Sequence, residues 1–381
     1  MTIDKRVVHI SLPCVGDEEW EATREVYQSG WITQGPKVAE FEKEFAKLHN
    51  AKHALAVTSC TTGLHLCLAG LDIQAGDEVI VPAFTWVATA NVVEYMGAKP
   101  VFCDVDTRTN NIDITKLKSL ITNKTKAIIP VHLFGLCADI DEIKAIAADI
   151  PIIEDAACAA ASQYKDGFAG TLGLAGVFSL HPRKSISTGE GGMILTNDDA
   201  FADKLGKLRN HGAEISEEQR HHGAKPYLLP DFNMLGYNYR MTDIQGAVGL
   251  VQIKKLMGFV EERDKWAKYY NEKLSEISWL TTPLIPENGR HSWQSYCVYV
   301  DPDTAPMKRN DIMMYLKDHG IAARPGTHAV HMLNYYQDKY GYKASDFPGA
   351  QACNDNTMSI PLHNRMSVED FEYVVEKLKA L

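Results

Sequence analysis

Residues 53–71 read His-Ala-Leu-Ala-Val-Thr-Ser-Cys-Thr-Thr-Gly-Leu-His-Leu-Cys-Leu-Ala-Gly-Leu. His53–Thr58 is an apolar run of strand length, the hydroxyl cluster closing on Gly63 is a turn, and Leu64–Leu71 reads as a helix. The alternation continues downstream. Glu78–Ala83, Pro100–Val105, Ala127–Leu133 and Ile152–Ala156 read as strands, and Val87–Met96, Ile114–Ile121 and Ile140–Ala148 as the helices between them. Continuously apolar strands separated by helices predict a parallel sheet covered on both faces. Short strands at Val177–Leu180 and Met193–Thr196 extend it, giving an α/β domain with a mostly parallel, seven-stranded sheet.

Upstream, the two glycines and proline of Ser29-Gly-Trp-Ile-Thr-Gln-Gly-Pro36 signal a turn, and Val38, Phe41, Phe45 and Leu48 repeat at helical spacing behind it. Residues 1–35 are otherwise mixed. Downstream of Asn197 the pattern changes. Residues 211–237, polar and carrying a His-His pair, read as a long loop, which is uncommon unless it has a task. Thr242 and Gln245 form a capping-box signal ahead of Ile244, Ala247, Val248 and Val251. A charged helix is expected over 259–276, then a strand at Tyr296–Val300, a helix at Lys308–His319, and a last helix opening at Ser367–Asp370 that buries Phe371, Val374, Val375 and Leu378. These predict a large domain over 1–255, its N-terminal segment able to pack on the small domain, and a small α+β domain over 256–381.

The chain of 381 residues is 45% hydrophobic and 23% charged, as expected of a globular protein, and its formal net charge of -10 with no Lys/Arg block argues against a nucleic-acid partner. No apolar run of about 18 residues suggests a membrane span, and no signal-like segment follows the N-terminus, so a cytoplasmic location is expected. Eight cysteines lack Cys-x-x-Cys spacing, which reads as free thiols rather than a disulfide framework or zinc site.

In a parallel sheet ligands bind beyond the C-terminal ends of the strands. After the first strand, Ser59-Cys60-Thr61 offers hydroxyls and helix-opening amides suited to a phosphate, or else an ordinary helix cap. The next strand ends in Phe84-Thr85-Trp86, whose tryptophan is either a ring over the crevice or a core residue. Asp155 ends a buried apolar run, where a carboxylate is costly without a cationic or hydrogen-bonding partner; a cap for a following helix is the alternative. Past Ser179 and His181, the Ser/Pro/Gly-rich loop 176–193 carries Lys184, which desolvation would make a nucleophilic amine unless it is a solvated surface lysine. Together these are what pyridoxal phosphate (PLP) requires: Lys184 for the aldehyde, Asp155 for the ring nitrogen, Trp86 for the ring face, and Ser59, Cys60, Thr61 and Ser179 for the phosphate.

The chain resembles the DegT/StrS-type nucleotide-sugar aminotransferases, PLP enzymes of fold type I. The resemblance rests on Gly30-Trp-Ile-Thr-Gln-Gly35, Ser59-Cys-Thr, Gly76-Asp-Glu-Val-Ile-Val-Pro with Thr85-Trp86, and Pro130-Val-His-Leu-Phe-Gly135. It continues through Glu154-Asp-Ala-Ala, Phe178-Ser-Leu-His-Pro-Arg-Lys, Thr188-Gly-Glu-Gly-Gly192 and Gly236-Tyr-Asn-Tyr-Arg-Met241. It implies that Lys184 is the Schiff-base lysine and proton shuttle, Asp155 the partner of the pyridinium, and Trp86 the stacking ring. It implies that Asn238 reaches the cofactor phosphate of the neighbouring subunit, so that a homodimer shares its active sites. Thr33, Gln34, His181, His328 and His331 would approach the substrate. Cys158 stands where the family usually has Gln or His donating to the cofactor's ring hydroxyl, and a thiol is a weaker donor. Lys184, where dehydrating relatives carry His, favours amino transfer. The implied reaction moves the amino group of glutamate to the 4-keto carbon of a nucleotide-linked 4-keto-6-deoxyhexose, in the perosamine-synthase-like branch, for a surface glycan such as lipopolysaccharide O-antigen. Amino transfer at carbon 3, dehydration, or a non-catalytic regulatory protein on the same fold are the competing readings.

Overall fold

The computed structural model describes residues 6–214, 227, 229 and 231–381. The expected His-His pair at 221–222, and residues 215–226, 228 and 230 of the expected 211–237 loop, lie outside them. Seven strands form the principal sheet: β1 (His53–Val57), β2 (Glu78–Pro82), β3 (Lys99–Cys103), β4 (Thr125–Ile128), β5 (Ile153–Asp155), β6 (Ala175–Ser179) and β7 (Gly192–Thr196). Their spatial order is β3-β2-β4-β5-β6-β7-β1; β4 and β5 meet through the parallel bridges Ile128–Ile152 and Val131–Asp155. Only β7 runs against the rest. The C-terminal ends of β1, β2, β5 and β6 therefore lie along one edge, with the N-terminal end of β7 beside them.

These strands are buried on both faces; Val79, Ile80, Val81, Ile153, Val177 and Ile194 are fully inaccessible. Helix α1 (Cys60–Gly70) covers one face and is itself almost wholly buried. It can lie close because Gly63 has no side chain: a Cβ there would sit 2.5 Å from Val177 Cγ1. The expected strand over Ala127–Leu133 stops at Ile128. Pro130 has no N–H for the ladder, its carbonyl instead accepts from the Asp155 amide at 2.9 Å, and the chain turns through Leu133–Gly135.

Two helical features depart from the expected pattern. Asp17–Ser29 is a helix within the segment that reads as mixed. The two helices expected on either side of residue 255 are one, α2, running unbroken from Asp243 to Leu274. The expected capping box opens it: Thr242 Oγ1 accepts from Gln245 N at 3.3 Å and Gln245 Oε1 from Thr242 N at 3.2 Å. No proline interrupts it, and at Gly258 a side chain would meet only open space. Its first half buries Ala247, Leu250, Ile253 and Leu256 with Val38, Phe41 and Phe45; its second half buries Ala267, Tyr270 and Leu274 in another core. That second core belongs to an antiparallel sheet of Leu280–Thr281, Tyr296–Val300, Thr357–Ile360 and Arg324–Pro325, covered by Phe371, Val374, Val375 and Leu378 of the last helix. Val8 packs in this same core and bridges to Ile321. The expected boundary near residue 255 thus falls inside a helix that both cores share.

Candidate active site

At the shared edge of the sheet, Asp155 ends β5 with 5% of its surface exposed. Its Oδ2 accepts from Thr89 Oγ1 at 2.7 Å and its Oδ1 from Ala157 N at 3.1 Å. No helix follows it, so the carboxylate is not a helix cap. Burial raises its pKa, while the Thr89 and Ala157 hydrogen bonds and the charge of Lys184 act the other way. No described Lys, Arg or His lies at ion-pair distance from it. A buried carboxylate held by two donors and lacking a cation of its own fits a protonated pyridine nitrogen.

The neighbouring Glu154 has a different task. Its carboxylate accepts from Gly170 N (2.7 Å), Leu172 N (2.7 Å), Gly173 N (2.6 Å) and His132 Nε2 (2.7 Å), all buried or partly so. The Ala138 amide donates to His132 Nδ1 at 3.0 Å, which places the imidazole proton on Nε2. Glu154 thus fastens the 170–173 loop and the His132 segment to β5 and holds Asp155 in place.

At the end of β1, Ser59 caps α1, its Oγ accepting from Thr62 N at 3.1 Å. The amides of Cys60 and Thr61, the first helical positions, have no intrahelical acceptor and point out of the helix start, where an anion is favoured. The Cys60 thiol turns inward, 3.5 Å from the Val177 carbonyl and 4.0 Å from Asp155 Oδ1. Burial, with Asp155 beside it, pushes its pKa well up, so it remains S–H. Of Cys60, only the backbone is left for a phosphate. The turn is pressed against β7, because a Cβ on Gly192 would come 2.6 Å from the Ser59 carbonyl carbon.

Lys184 follows β6 through Ser179 and His181; its own amide donates to the His181 carbonyl at 2.9 Å, and the His181 amide to Ser179 Oγ at 3.4 Å. Burial lowers the His181 pKa, a shift that Glu190 opposes. The half-buried Lys184 Nζ donates to Cys158 Sγ at 3.2 Å. Trp86 is 55% exposed rather than a core residue, and its ring meets the edge of His328 at 5.5 Å between centroids. His328 is carried there by the small domain, whose His328–Ala329 pairs with Phe84–Thr85.

The fold thus sets Asp155 beside Cys60 and Thr89, Lys184 beside Cys158, and Trp86 beside His328. Other expected residues lie differently. His331 is fully buried with its ring 4.7 Å from Phe347. Thr33 and Gln34 engage Asp243 N (3.0 Å) and Trp31 Nε1 (3.1 Å) through their carbonyls rather than any residue of the Lys184 cluster. Asn238 is exposed and bridges to Asn210 in its own chain. Sequence reading missed Thr89, whose only local signal is a hydroxyl four residues after Thr85 on a largely apolar helix.

Fold and crevice together define a PLP-dependent enzyme of fold type I. The chain belongs to the DegT/DnrJ/EryC1/StrS aminotransferase family, whose model matches residues 13–379. It is 40% identical over 372 residues to the spore coat polysaccharide biosynthesis protein SpsC of Bacillus subtilis, covering 97% of this chain and 95% of that protein. Among solved structures, the PLP form of the putative sugar aminotransferase Spr1654 from Streptococcus pneumoniae is similar at TM-score 0.89 and 28% identity, covering 99% of this chain and 100% of that one. The GDP-4-keto-6-deoxy-D-mannose-3-dehydratase of E. coli, with hydrated PLP, is similar at TM-score 0.87 and 30% identity, covering 98% and 100%. The protein is a sugar aminotransferase that uses PLP. No described helix is long and apolar enough to cross a membrane.

Proposed function

We propose that the protein transfers the amino group of glutamate to the 4-keto carbon of a nucleotide-linked 4-keto-6-deoxyhexose, yielding a 4-amino sugar for a surface glycan in the cytoplasm. The observation that carries this reading is a lysine, Lys184, where dehydrating relatives carry histidine, set in the crevice that holds the buried Asp155. The Asn238-Tyr-Arg-Met segment supports carbon 4, and SpsC, named for a spore coat polysaccharide, supports a glycan product.

Bound PLP supplies an aldehyde that takes up the amine and a protonated ring that withdraws electrons from the carbon being deprotonated. Thr89 and Ala157 favour the Asp155 carboxylate against the burial that raises its pKa, and that carboxylate would pair with the ring nitrogen and favour its protonated form. The Cys60 and Thr61 amides, with the Thr61 and Ser179 hydroxyls, would hold the phosphate. Trp86 offers the ring face. Lys184 Nζ anchors the resting cofactor, takes the α proton from glutamate, and in the second half-reaction delivers a proton to the sugar carbon that receives nitrogen. Cys158 Sγ, accepting from Nζ at 3.2 Å, orients the amine for that transfer.

A homodimer completes this site in the proposal, Asn238 of each subunit reaching the other's phosphate; its exposure in the single chain is compatible with that reach. The test is a panel of keto-sugar nucleotides incubated with enzyme, PLP and L-glutamate, the product identified by mass and the amine located by NMR. Nitrogen at carbon 3, or loss of a hydroxyl without amine gain, overturns the carbon-4 reading. Mixing Asn238→Ala with Lys184→Ala subunits should restore activity, and no recovery argues against a shared site.

A further inference from the structure

Arg324, on the antiparallel sheet, has no acidic partner among the described residues. Its strand, Arg324–Pro325, pairs with Thr357–Ile360 of the small-domain sheet, Arg324 lying opposite Ser359. Its only side-chain hydrogen bond among the described residues is a long one, Nη2 to Ser295 Oγ at 3.4 Å, and its buried Nε has no acceptor. No described carboxylate lies within ion-pair distance of it or of Arg183, the other guanidinium close enough to interact with it. Burial, and after it the exposed Arg183, lower its pKa, and the guanidinium keeps its charge. Folded proteins rarely keep an unpaired buried donor unless something outside the chain completes it.

Its position says what that something is. The 291–295 segment wraps the cofactor crevice: Ser292 Oγ donates to the Cys158 carbonyl at 3.1 Å and Gln294 Nε2 to the Arg183 carbonyl at 2.9 Å. Arg324 leans on this segment through Ser295, three residues from the Ser292 whose hydroxyl holds the Cys158 carbonyl. Cys158 Sγ is in turn 3.2 Å from Lys184 Nζ, the amine that the donor's nitrogen would displace from the cofactor aldehyde. An anionic group bound at Arg324 therefore sits close to the reacting nitrogen. In an α-amino acid, a carboxylate is separated from the amine by a single carbon. In a nucleotide sugar the diphosphate hangs from the anomeric carbon, on the far side of the ring from carbon 4. The Nε edge of a guanidinium also matches a carboxylate in a side-on, two-bond pairing.

We propose that Arg324 receives a carboxylate of the amino donor and so fixes the donor's α-carbon over Lys184, with Arg183 as a second cation in the same field. This rests on the donor being an amino acid, as in the reading above, and not on which sugar accepts the nitrogen.

The experiment uses the holoenzyme and the Arg324→Gln and Arg324→Lys variants, each checked for bound cofactor by visible absorption and for its melting temperature. Maleate, a dicarboxylate with neither amine nor ketone, is titrated against the cofactor's absorption. Single-turnover half-reactions are then run separately with L-glutamate and with keto-sugar nucleotide. Arg324→Gln should weaken maleate and glutamate about 30-fold, the scale of a lost charge-assisted hydrogen-bond pair, while the keto-sugar half-reaction stays within about threefold. Arg324→Lys, which keeps the charge but not the fork, should fall between; it also carries the test if the glutamine variant does not fold. Unchanged maleate and glutamate affinity, or an equal loss in both half-reactions, overturns the proposal. A failed carbon-4 assignment would leave the maleate result standing, so the two readings fail separately.

Discussion

Thr89 Oγ1 donates to Asp155 Oδ2 at 2.7 Å across 66 residues of sequence, inside the interior and out of reach of water. A hydrogen bond to the ionised form favours it, so Thr89 lowers a pKa that burial raises. Thr89→Val keeps the shape and removes the donor. Asp155 should then protonate more readily, and because the ring nitrogen needs its anion, the acid limb of the kcat–pH profile should move up by about one unit. The linkage to stability has the same origin. A carboxyl whose folded pKa is raised favours the folded state below that pKa and costs stability above it, so at neutral pH the cofactor-free variant should also unfold more easily. An unmoved acid limb would remove Thr89 from this role.

Glu154 should tolerate no donor. With four N–H groups aimed at its two oxygens, Glu154→Gln sets an NH2 group against at least one of them and removes the charge that holds them. A cost of about 3–5 kcal/mol is expected in urea unfolding. Loss of the cofactor band should accompany unfolding rather than precede it, because Glu154 does not itself face the crevice.

The phosphate end can be moved without touching a polar group. Gly192→Ala drives a methyl into the Ser59–Cys60 backbone, at 2.6 and 2.7 Å from its atoms, and backbone there cannot give way as a flexible side chain would. PLP affinity should fall at least about tenfold, since the displaced amides no longer converge on one anion. Unphosphorylated pyridoxal should bind nearly as well as it does to the unaltered protein. Equal losses for both ligands would mean that the turn does not serve the phosphate.

Cys158→Ala leaves Lys184 Nζ without its acceptor. A lysine that must present one lone pair to the α proton is less well aimed, and the proton-transfer step should slow about tenfold. Cys158→Ser, which restores an acceptor, should recover most of that loss. Single-turnover rates with α-deuterated glutamate report the step directly, and an isotope effect that does not grow in the alanine variant would contradict the assignment.

The strands, most helices and the capping boxes at Thr242 and Ser367 were legible because each is written in short-range periodicity or in residues three apart. Asp155 stood out as a charge at the end of an apolar run, and Lys184 as the lysine of a Ser/Pro/Gly-rich loop between two strands. Thr89, Glu154's ring of amides and the unpaired Arg324 were not, since their meaning depends on partners far away in the chain. For His331 the sequence showed only a histidine in a suggestive motif, and its burial against Phe347 is a matter of packing.

What the sequence determined by itself was a parallel sheet with chemistry at its strand ends, because alternating apolar runs and helices admit few other arrangements. What only the tertiary structure decided was which of those ends meet. The order β3-β2-β4-β5-β6-β7-β1 sets non-consecutive strands side by side, so Asp155 stands between the Cys60 thiol and Thr89, and the antiparallel return of β7 brings Gly192 against Ser59. Strand order is fixed by the packing of the whole sheet, and no local run of residues encodes it.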